Sequence, residues 1–249
     1  MTVTTPPAID AAHWLRRFRP PVHDTPFHLV CLPHAGGSAS YFFPMAGALD
    51  IEIDVLAAQY PGRQDRHREP AMDDIEALAD RLTAAVHALT DRDVVLLGHS
   101  MGALVAFEMA RRLERDGRPP RHLVVSGRRP PSPVPRGEVH TWSDRAVIAE
   151  LRALGGDEMP LPGDEVLQLA LPAIRADYRA LETYADRLGA PLNCPVTAMC
   201  GDRDGHADAH DMNGWNSHTT GAFAGRSFAG GHFYLGQHWD AAAELIRVL

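Results

Sequence analysis

Apolar residues along this chain fall into short uninterrupted runs separated by longer stretches of helical spacing. His28–Leu32 (HLVCL), Ile53–Gln59, Val94–Leu97, His122–Val125 and Val196–Cys200 are runs without polar alternation, and Arg226–Phe228 reads as a last, shorter strand. Such runs are what strands buried on both faces require. Between them, Tyr41–Leu49, Asp74–Leu89 and Met101–Leu113 carry apolar residues at helical spacing, and Asp240–Leu249 reads as a closing helix. In Asp74–Leu89 the stripe is Ile75, Leu78, Leu82, Val86 and Leu89. This β–α alternation predicts a mostly parallel sheet flanked by helices, with right-handed crossovers. Residues 1 to about 24 read as an N-terminal arm that packs Trp14, Leu15 and Phe18 ahead of Pro20-Pro21.

The alternation stops after Arg129. Pro130–Pro135 is a proline-rich break, and Thr141–Gly189 holds no strand-like run. Leu167, Leu171, Ile174, Tyr178 and Leu181 form one helical stripe, with Pro172 inside it predicting a kink or a helix start. The region from about 130 to 190 is therefore expected to be a helical insertion between two sheet strands. Ligands of open α/β sheets bind beyond the carboxyl ends of the strands, so such an insertion is placed to act as a lid. The 249 residues are read as a single α/β domain, 1–249, carrying this lid as a subdomain.

Composition narrows the class. The chain is 45% hydrophobic and 22% charged, within the range of globular proteins. No apolar run reaches the roughly 18 residues of a membrane span, and Met1–Asp10 lacks the apolar core of a signal peptide. The three cysteines, Cys31, Cys194 and Cys200, argue against a disulfide framework and for a reducing, cytoplasmic setting. Cys31, within an apolar run, reads as a buried small hydrophobe. A net charge of −8 speaks against a nucleic-acid partner, and no membrane partner is indicated. All 24 basic residues are arginine, which excludes lysine-based chemistry such as a Schiff base or a Ser-Lys dyad.

Candidate chemistry centres on Gly98-His99-Ser100-Met101-Gly102. Taken alone, G-x-S-x-G is a weak signal. Here a strand precedes it and a helix follows, which is the context of a nucleophile elbow in an α/β-hydrolase fold. There Ser100 is held strained and exposed at the top of the sheet, with glycines where a Cβ would clash. A serine hydroxyl needs a histidine to take its proton, and that histidine needs a carboxylate to fix its tautomer. In this fold the order is Ser, acid, His. His232, in Phe228-Ala229-Gly230-Gly231-His232-Phe233, follows a strand and is favoured. His206, His210 and His218 read as solvated residues of a polar helical stretch, and His238 as the start of the last helix. The acid is expected after Val196–Cys200, at Asp202 or Asp204, because the loop Gly127-Arg128-Arg129-Pro130 offers no carboxylate. Spacing leaves the choice between the two open. The oxyanion donors are expected to be the backbone N–H of Met101 and that of Ala35, in Pro33-His34-Ala35-Gly36-Gly37-Ser38, whose glycines suit close approach of a ligand.

The set Leu32–Gly37, Gln59-Tyr60-Pro61-Gly62-Arg63, Gly98–Gly102, Gly201-Asp202-Arg203-Asp204 and Gly230-Gly231-His232-Phe233 resembles the type II thioesterases, the stand-alone editing enzymes of polyketide and nonribosomal peptide assembly lines. The resemblance runs from about residue 12 to the C-terminus. It implies hydrolysis of acyl groups from the phosphopantetheine thiol of acyl or peptidyl carrier protein domains, without a metal or bound cofactor. It also implies that Asp204 rather than Asp202 is the triad acid, and that 130–190 is the lid. Arg128 and Arg129 would then be placed to meet an acidic carrier, unless they are only solvated loop residues. A carboxylesterase or lipase acting on free esters, an acyltransferase, and a non-catalytic carrier-binding protein are the other readings.

Overall fold

The computed structural model describes residues 10–159, 161–186 and 189–249. The reading of Met1–Ile9 as something other than a signal peptide therefore concerns residues outside the described part. The N-terminal arm forms a short helix, α1 (Ala11–Trp14), and a two-residue strand, β1 (Leu15–Arg16). Trp14 and Leu15 are buried, and Phe18 rests edge-on against Phe43. The order continues β2 (His28–Leu32), a 3-10 turn, α2 (Phe43–Leu49), β3 (Asp54–Ala58), α3 (Ile75–Leu89), β4 (Val94–His99), α4 (Met101–Arg115) and β5 (His122–Ser126). After two further helices, α5 (Asp144–Gly155) and α6 (Asp164–Thr183), come β6 (Val196–Gly201), α7 (Ala209–Asn213), β7 (Phe223–Phe228) and α8 (Trp239–Arg247).

The seven strands run in the order β1-β3-β2-β4-β5-β6-β7, all parallel except β1, which pairs antiparallel with β3. Every residue of β2, β3, β4 and β6 is buried. The two-residue period of a strand sorts their side chains to opposite faces. Val30, Leu32, Leu56 and Leu96 join the core under α3 and α4, whereas Leu29, Cys31, Val55 and Leu97 join the core under α2 and α8. Cys31 is thus a packed hydrophobe, and burial pushes its thiol pKa well up. β7, at the sheet edge, is only half covered and begins at Phe223, three residues earlier than its apolar pattern suggests. Small and polar residues such as Gly225 and Arg226 are tolerated there because one face meets solvent.

From β2 the chain winds one way to β3, then returns across to β4 on the other side of β2. This reversal puts the crevice between the carboxyl ends of β2 and β4, where α/β sheets bind ligands. Leu32 and Gly98 are register partners there. The crossing is very close: a Cβ on Gly98 would lie 2.1 Å from the Gly102 carbonyl oxygen, and one on Gly102 would lie 2.0 Å from that of Leu32. Only glycine lets strand, elbow and neighbouring strand occupy this space.

The α5–α6 insertion has an apolar cluster of its own, built from Val147, Ile148, Leu151, Leu167, Leu171, Ile174 and Tyr178. Of the two sequence expectations for Pro172, a helix start is overturned: α6 begins eight residues earlier, at Asp164, and passes through the proline. Burial of the stripe on both sides of the proline offsets the one lost backbone bond.

Candidate active site

Ser100 sits between β4 and α4 with φ 54° and ψ −116°, one of three non-glycine residues with positive φ among the described residues. A side chain in this region is strained by roughly 1–3 kcal/mol, sustained here by the glycine-lined crossing below it. Ser100 N donates to the Ser126 carbonyl at 2.7 Å, which ties the elbow to the end of β5. His99 lies underneath, fully buried, with Nδ1 3.0 Å from Ser126 Oγ, and Ser126 Oγ in turn meets Tyr234 OH at 2.6 Å. The elbow thus rests on a buried polar stack that the motif does not reveal.

His232 follows the glycine pair after β7. Its Nδ1 is 2.9 Å from Asp204 Oδ2, and both residues are at most 5% exposed. A carboxylate only accepts, so Nδ1 carries the proton and Nε2 presents its lone pair. Nε2 has no protein partner among the described residues, and His232 lines the same cleft as Ser100. Burial opposes the charge on Asp204, but the bonds from His232 and from His206 N outweigh it and hold the carboxyl below its usual range. Asp202 does different work: its Oδ1 accepts from Gly230 N at 2.9 Å and braces the turn that carries His232. The two carboxylates that spacing leaves open are separated by the structure, with Asp204 on the imidazole.

The cleft, about 300 Å³, is walled on one side by His34, Ala35, Ser100 and His232 and on the other by insertion residues such as Leu151, Tyr178 and Leu181. The Ala35 N–H takes no protein acceptor among the described residues, and Met101 opens α4, where backbone N–H groups lack helical acceptors. Both predicted donors therefore remain free at the Ser100 end. The glycines beside Ala35 also make room for the protein itself. A Cβ on Gly36 would come within 3.1 Å of Ile174 Cγ1 in α6, and one on Gly37 within 2.9 Å of the His34 ring. The His34 carbonyl oxygen stands equally close to that position on Gly37, at 2.9 Å.

Three sequence expectations change. His206 belongs to the loop after β6 rather than to a helix, and it lines the cleft with its ring 5.7 Å from that of His232. His218 is half-buried against Phe107 and Trp215, so only His210 is a solvated helical histidine as expected. Arg128 turns into the cleft instead of outward, and burial, reinforced by Arg129, lowers its pKa to about 10. Arg129 stays exposed and pairs with Asp211 at 2.9 Å.

Sequence reasoning also passed over two acids of the insertion. Asp177, on α6, is completely buried and bonds Gly36 N and Arg63; Glu158, after α5, bonds Gly231 N and Phe233 N. Asp177 carried a signal. It lies three residues from Ile174 on the core-facing stripe, and an acid in that position must find a buried partner.

Several imidazoles here are held neutral. Burial lowers the pKa of His34 to about 3, helped by His232 and Arg63, and that of His122 to about 4; His99 and His206 are also depressed, chiefly by burial. An unfolded histidine titrates near 6.5, so below that pH the unfolded chain binds more protons than the folded one. Stability is therefore full above about pH 6.5 and falls as the pH drops from there towards 4 and 3. Thermal midpoints measured from pH 8 to pH 5 are expected to be level at first and then to decline below about 6.5. A midpoint that rises on acidification to pH 5 contradicts the buried neutral state of these rings.

A family model described as Thioesterase domain matches residues 27–249. Thioesterase PikA5 of Streptomyces venezuelae is 49% identical over 234 residues, covering 93% of this chain and 83% of that protein. A probable cadicidin biosynthesis thioesterase of Streptomyces griseus is 46% identical over 241 residues, covering 96% of this chain and 66% of the other. Among solved structures, the type II thioesterase BorB of the borrelidin biosynthetic cluster superposes with a TM-score of 0.88 at 48% identity, covering 94% of this chain and 96% of its own. RedJ, the thioesterase of the prodiginine pathway in Streptomyces coelicolor, superposes with a TM-score of 0.83 at 39% identity and 92% coverage of both chains.

Proposed function

The chain belongs to the thioesterase family, and from that premise we propose that it hydrolyses acyl groups from the phosphopantetheine thiol of acyl or peptidyl carrier proteins, through a triad of Ser100, His232 and Asp204. The observation that carries the catalytic part is the His232 imidazole, bound to Asp204 through Nδ1, with its free Nε2 in the cleft lined by Ser100. The carrier-borne substrate is supported by similar structures described as belonging to NRPS/PKS pathways, YbtT of yersiniabactin and ClbQ of colibactin biosynthesis.

In this reaction Ser100 Oγ attacks the thioester carbonyl carbon while His232 Nε2 takes the hydroxyl proton. The carbonyl oxygen becomes an oxyanion, received by the N–H groups of Ala35 and Met101. Collapse of this intermediate breaks the C–S bond, and the thiol leaves with the proton held on Nε2. Water then attacks the acyl-serine, giving its proton to Nε2. A second collapse returns that proton to Ser100 Oγ and releases the acid. Asp204 holds the imidazolium in orientation throughout and keeps its own charge. No step requires a metal or a bound cofactor.

Acyl-loaded carrier protein and the p-nitrophenyl ester of the same acyl group separate this reading from an esterase. Contacts to the carrier and its arm are remote binding energy available to the transition state, so kcat/KM is expected to favour the carrier substrate by about 100-fold or more. A preference for the free ester overturns the carrier assignment. Faster release of the trapped acyl group by an alcohol or amine than by water would make the enzyme an acyltransferase.

A further inference from the structure

Each of the two loops that complete the Ser100 centre is held by a carboxylate from the insertion. On one side, Asp177 Oδ2 accepts from Gly36 N at 2.7 Å, directly after the Ala35 donor. The same carboxylate takes a two-pronged bond from Arg63, whose Nη1 and Nη2 lie 2.8 Å from Oδ2 and Oδ1. Arg63 Nη1 also donates to Gly37 O at 3.0 Å, so acid and arginine together grip the Ala35–Gly36 and Gly37–Ser38 peptides. On the other side, Glu158 Oε1 accepts from Gly231 N at 2.5 Å and Oε2 from Phe233 N at 3.0 Å, which straddles His232. The glycines make this possible. A Cβ on Gly230 would stand 2.8 Å from Glu158 Oε1, and one on Gly231 3.2 Å from Oε2. Gly230 adopts φ 142° and Gly36 φ 75°, conformations that side chains rarely take.

A roof that merely excluded water would need apolar contacts alone, and the cluster between α5 and α6 supplies those. Instead it spends two acids on backbone N–H groups next to the oxyanion donor and next to the general base. We propose that Asp177 and Glu158 are positioning residues, through which the seated insertion sets the Ala35 N–H and the His232 imidazole in register with Ser100. An enzyme whose insertion is lifted would keep its triad residues but lose their alignment. The proposal rests on Ser100 and His232 acting as described above, and not on which thioester is the substrate.

The test uses a fluorophosphonate, which labels a serine activated by a base and an oxyanion hole whatever the natural acyl group. Glu158→Gln keeps one acceptor and loses the other; Asp177→Asn loses the grip of Arg63. Both are expected to slow labelling of Ser100 by about 10- to 100-fold per folded molecule, the size of effect a misplacement near 1 Å produces. kcat should fall in the same proportion, with KM changed less than about twofold. Arg152→Ala, which breaks the exposed Arg152–Asp164 pair between α5 and α6 without touching either loop, should label at the native rate. If Asp177→Asn does not fold because Arg63 is left uncompensated, Arg63→Gln with Asp177→Asn replaces the charged pair by a neutral one and is read instead. Native-rate labelling of folded Glu158→Gln overturns the proposal. So does a loss confined to KM or to the thermal midpoint, or an equal loss in Arg152→Ala. A native enzyme that is not labelled at Ser100 overturns the triad as well, which separates the two failures.

Discussion

Alanine at position 100 is expected to lower thioester turnover by about 10⁵- to 10⁶-fold, the scale seen when a serine hydrolase loses its nucleophile. No neighbouring group can replace the hydroxyl. None of the three buried cysteines lines the cleft, and the other serine there, Ser132, accepts from Val134 N and is bonded to no imidazole among the described residues. His232→Ala should cost about as much, and the double variant little more, because the two residues act as one unit. Single-turnover hydrolysis of acyl-loaded carrier, followed by mass spectrometry of carrier and enzyme, reads both losses. The native enzyme should show an acyl mass on Ser100, and the Ser100→Ala protein none, while carrier binding persists. Retention of more than about 1% of native turnover by Ser100→Ala would place the nucleophile elsewhere or make the reaction a direct attack by water.

The parts of this molecule that were legible in the sequence are those whose physics is local. Strands such as Val94–Leu97 declare themselves because both faces are buried, and α3 because its stripe repeats at helical spacing. The elbow is legible for the same reason: strand, turn and helix are contiguous, and Gly98 and Gly102 mark a crossing too tight for a Cβ. His232 and the Asp202–Asp204 pair were located by the rule that functional groups end strands. Spacing leaves the two aspartates open and only the family resemblance favours Asp204; the physical difference between them is a through-space bond to an imidazole 28 positions later in the chain.

The rest was obscured because its partners are distant and its chemistry is shared with ordinary surface residues. Asp177 finds Arg63 across 114 positions and Glu158 finds Gly231 across 73. Arg128 reads as a solvated loop residue until the insertion forms the other wall of its cleft, whereas His206 stays exposed as expected. Pro172 does not start a helix because burial of the stripe on either side of it carries α6 through the proline. Beside the glycine pairs at 36–37 and 230–231 stand Ile174 and Glu158, residues of the insertion that no local pattern places there. The sequence therefore exposes the groups proposed to react more readily than the residues proposed to hold them in place.

Asp204→Asn is expected to lower turnover by about 10⁴-fold, whereas Asp202→Asn should cost less than about 10-fold. The asymmetry follows from where each carboxylate points. Both Asp204 oxygens are committed, Oδ2 to His232 Nδ1 at 2.9 Å and Oδ1 to His206 N at 2.8 Å, and the residue is 3% exposed. The backbone N–H at 206 can only donate, so an asparagine in this cavity keeps its oxygen there and turns its amide nitrogen towards His232. That nitrogen donates to Nδ1 and forces the ring proton onto Nε2, the atom that must accept the serine proton. The variant then folds with native-like geometry and holds the wrong tautomer. Asp202, by contrast, has a half-exposed side chain, and its role is to accept from Gly230 N at 2.9 Å, which an asparagine oxygen performs equally well. The measurement is kcat on an acyl-loaded carrier for both variants, with thermal midpoints taken alongside to show that each is folded. If Asp202→Asn is the damaging change and Asp204→Asn the mild one, the acid of the triad is Asp202, and the His232–Asp204 bond is structural rather than catalytic.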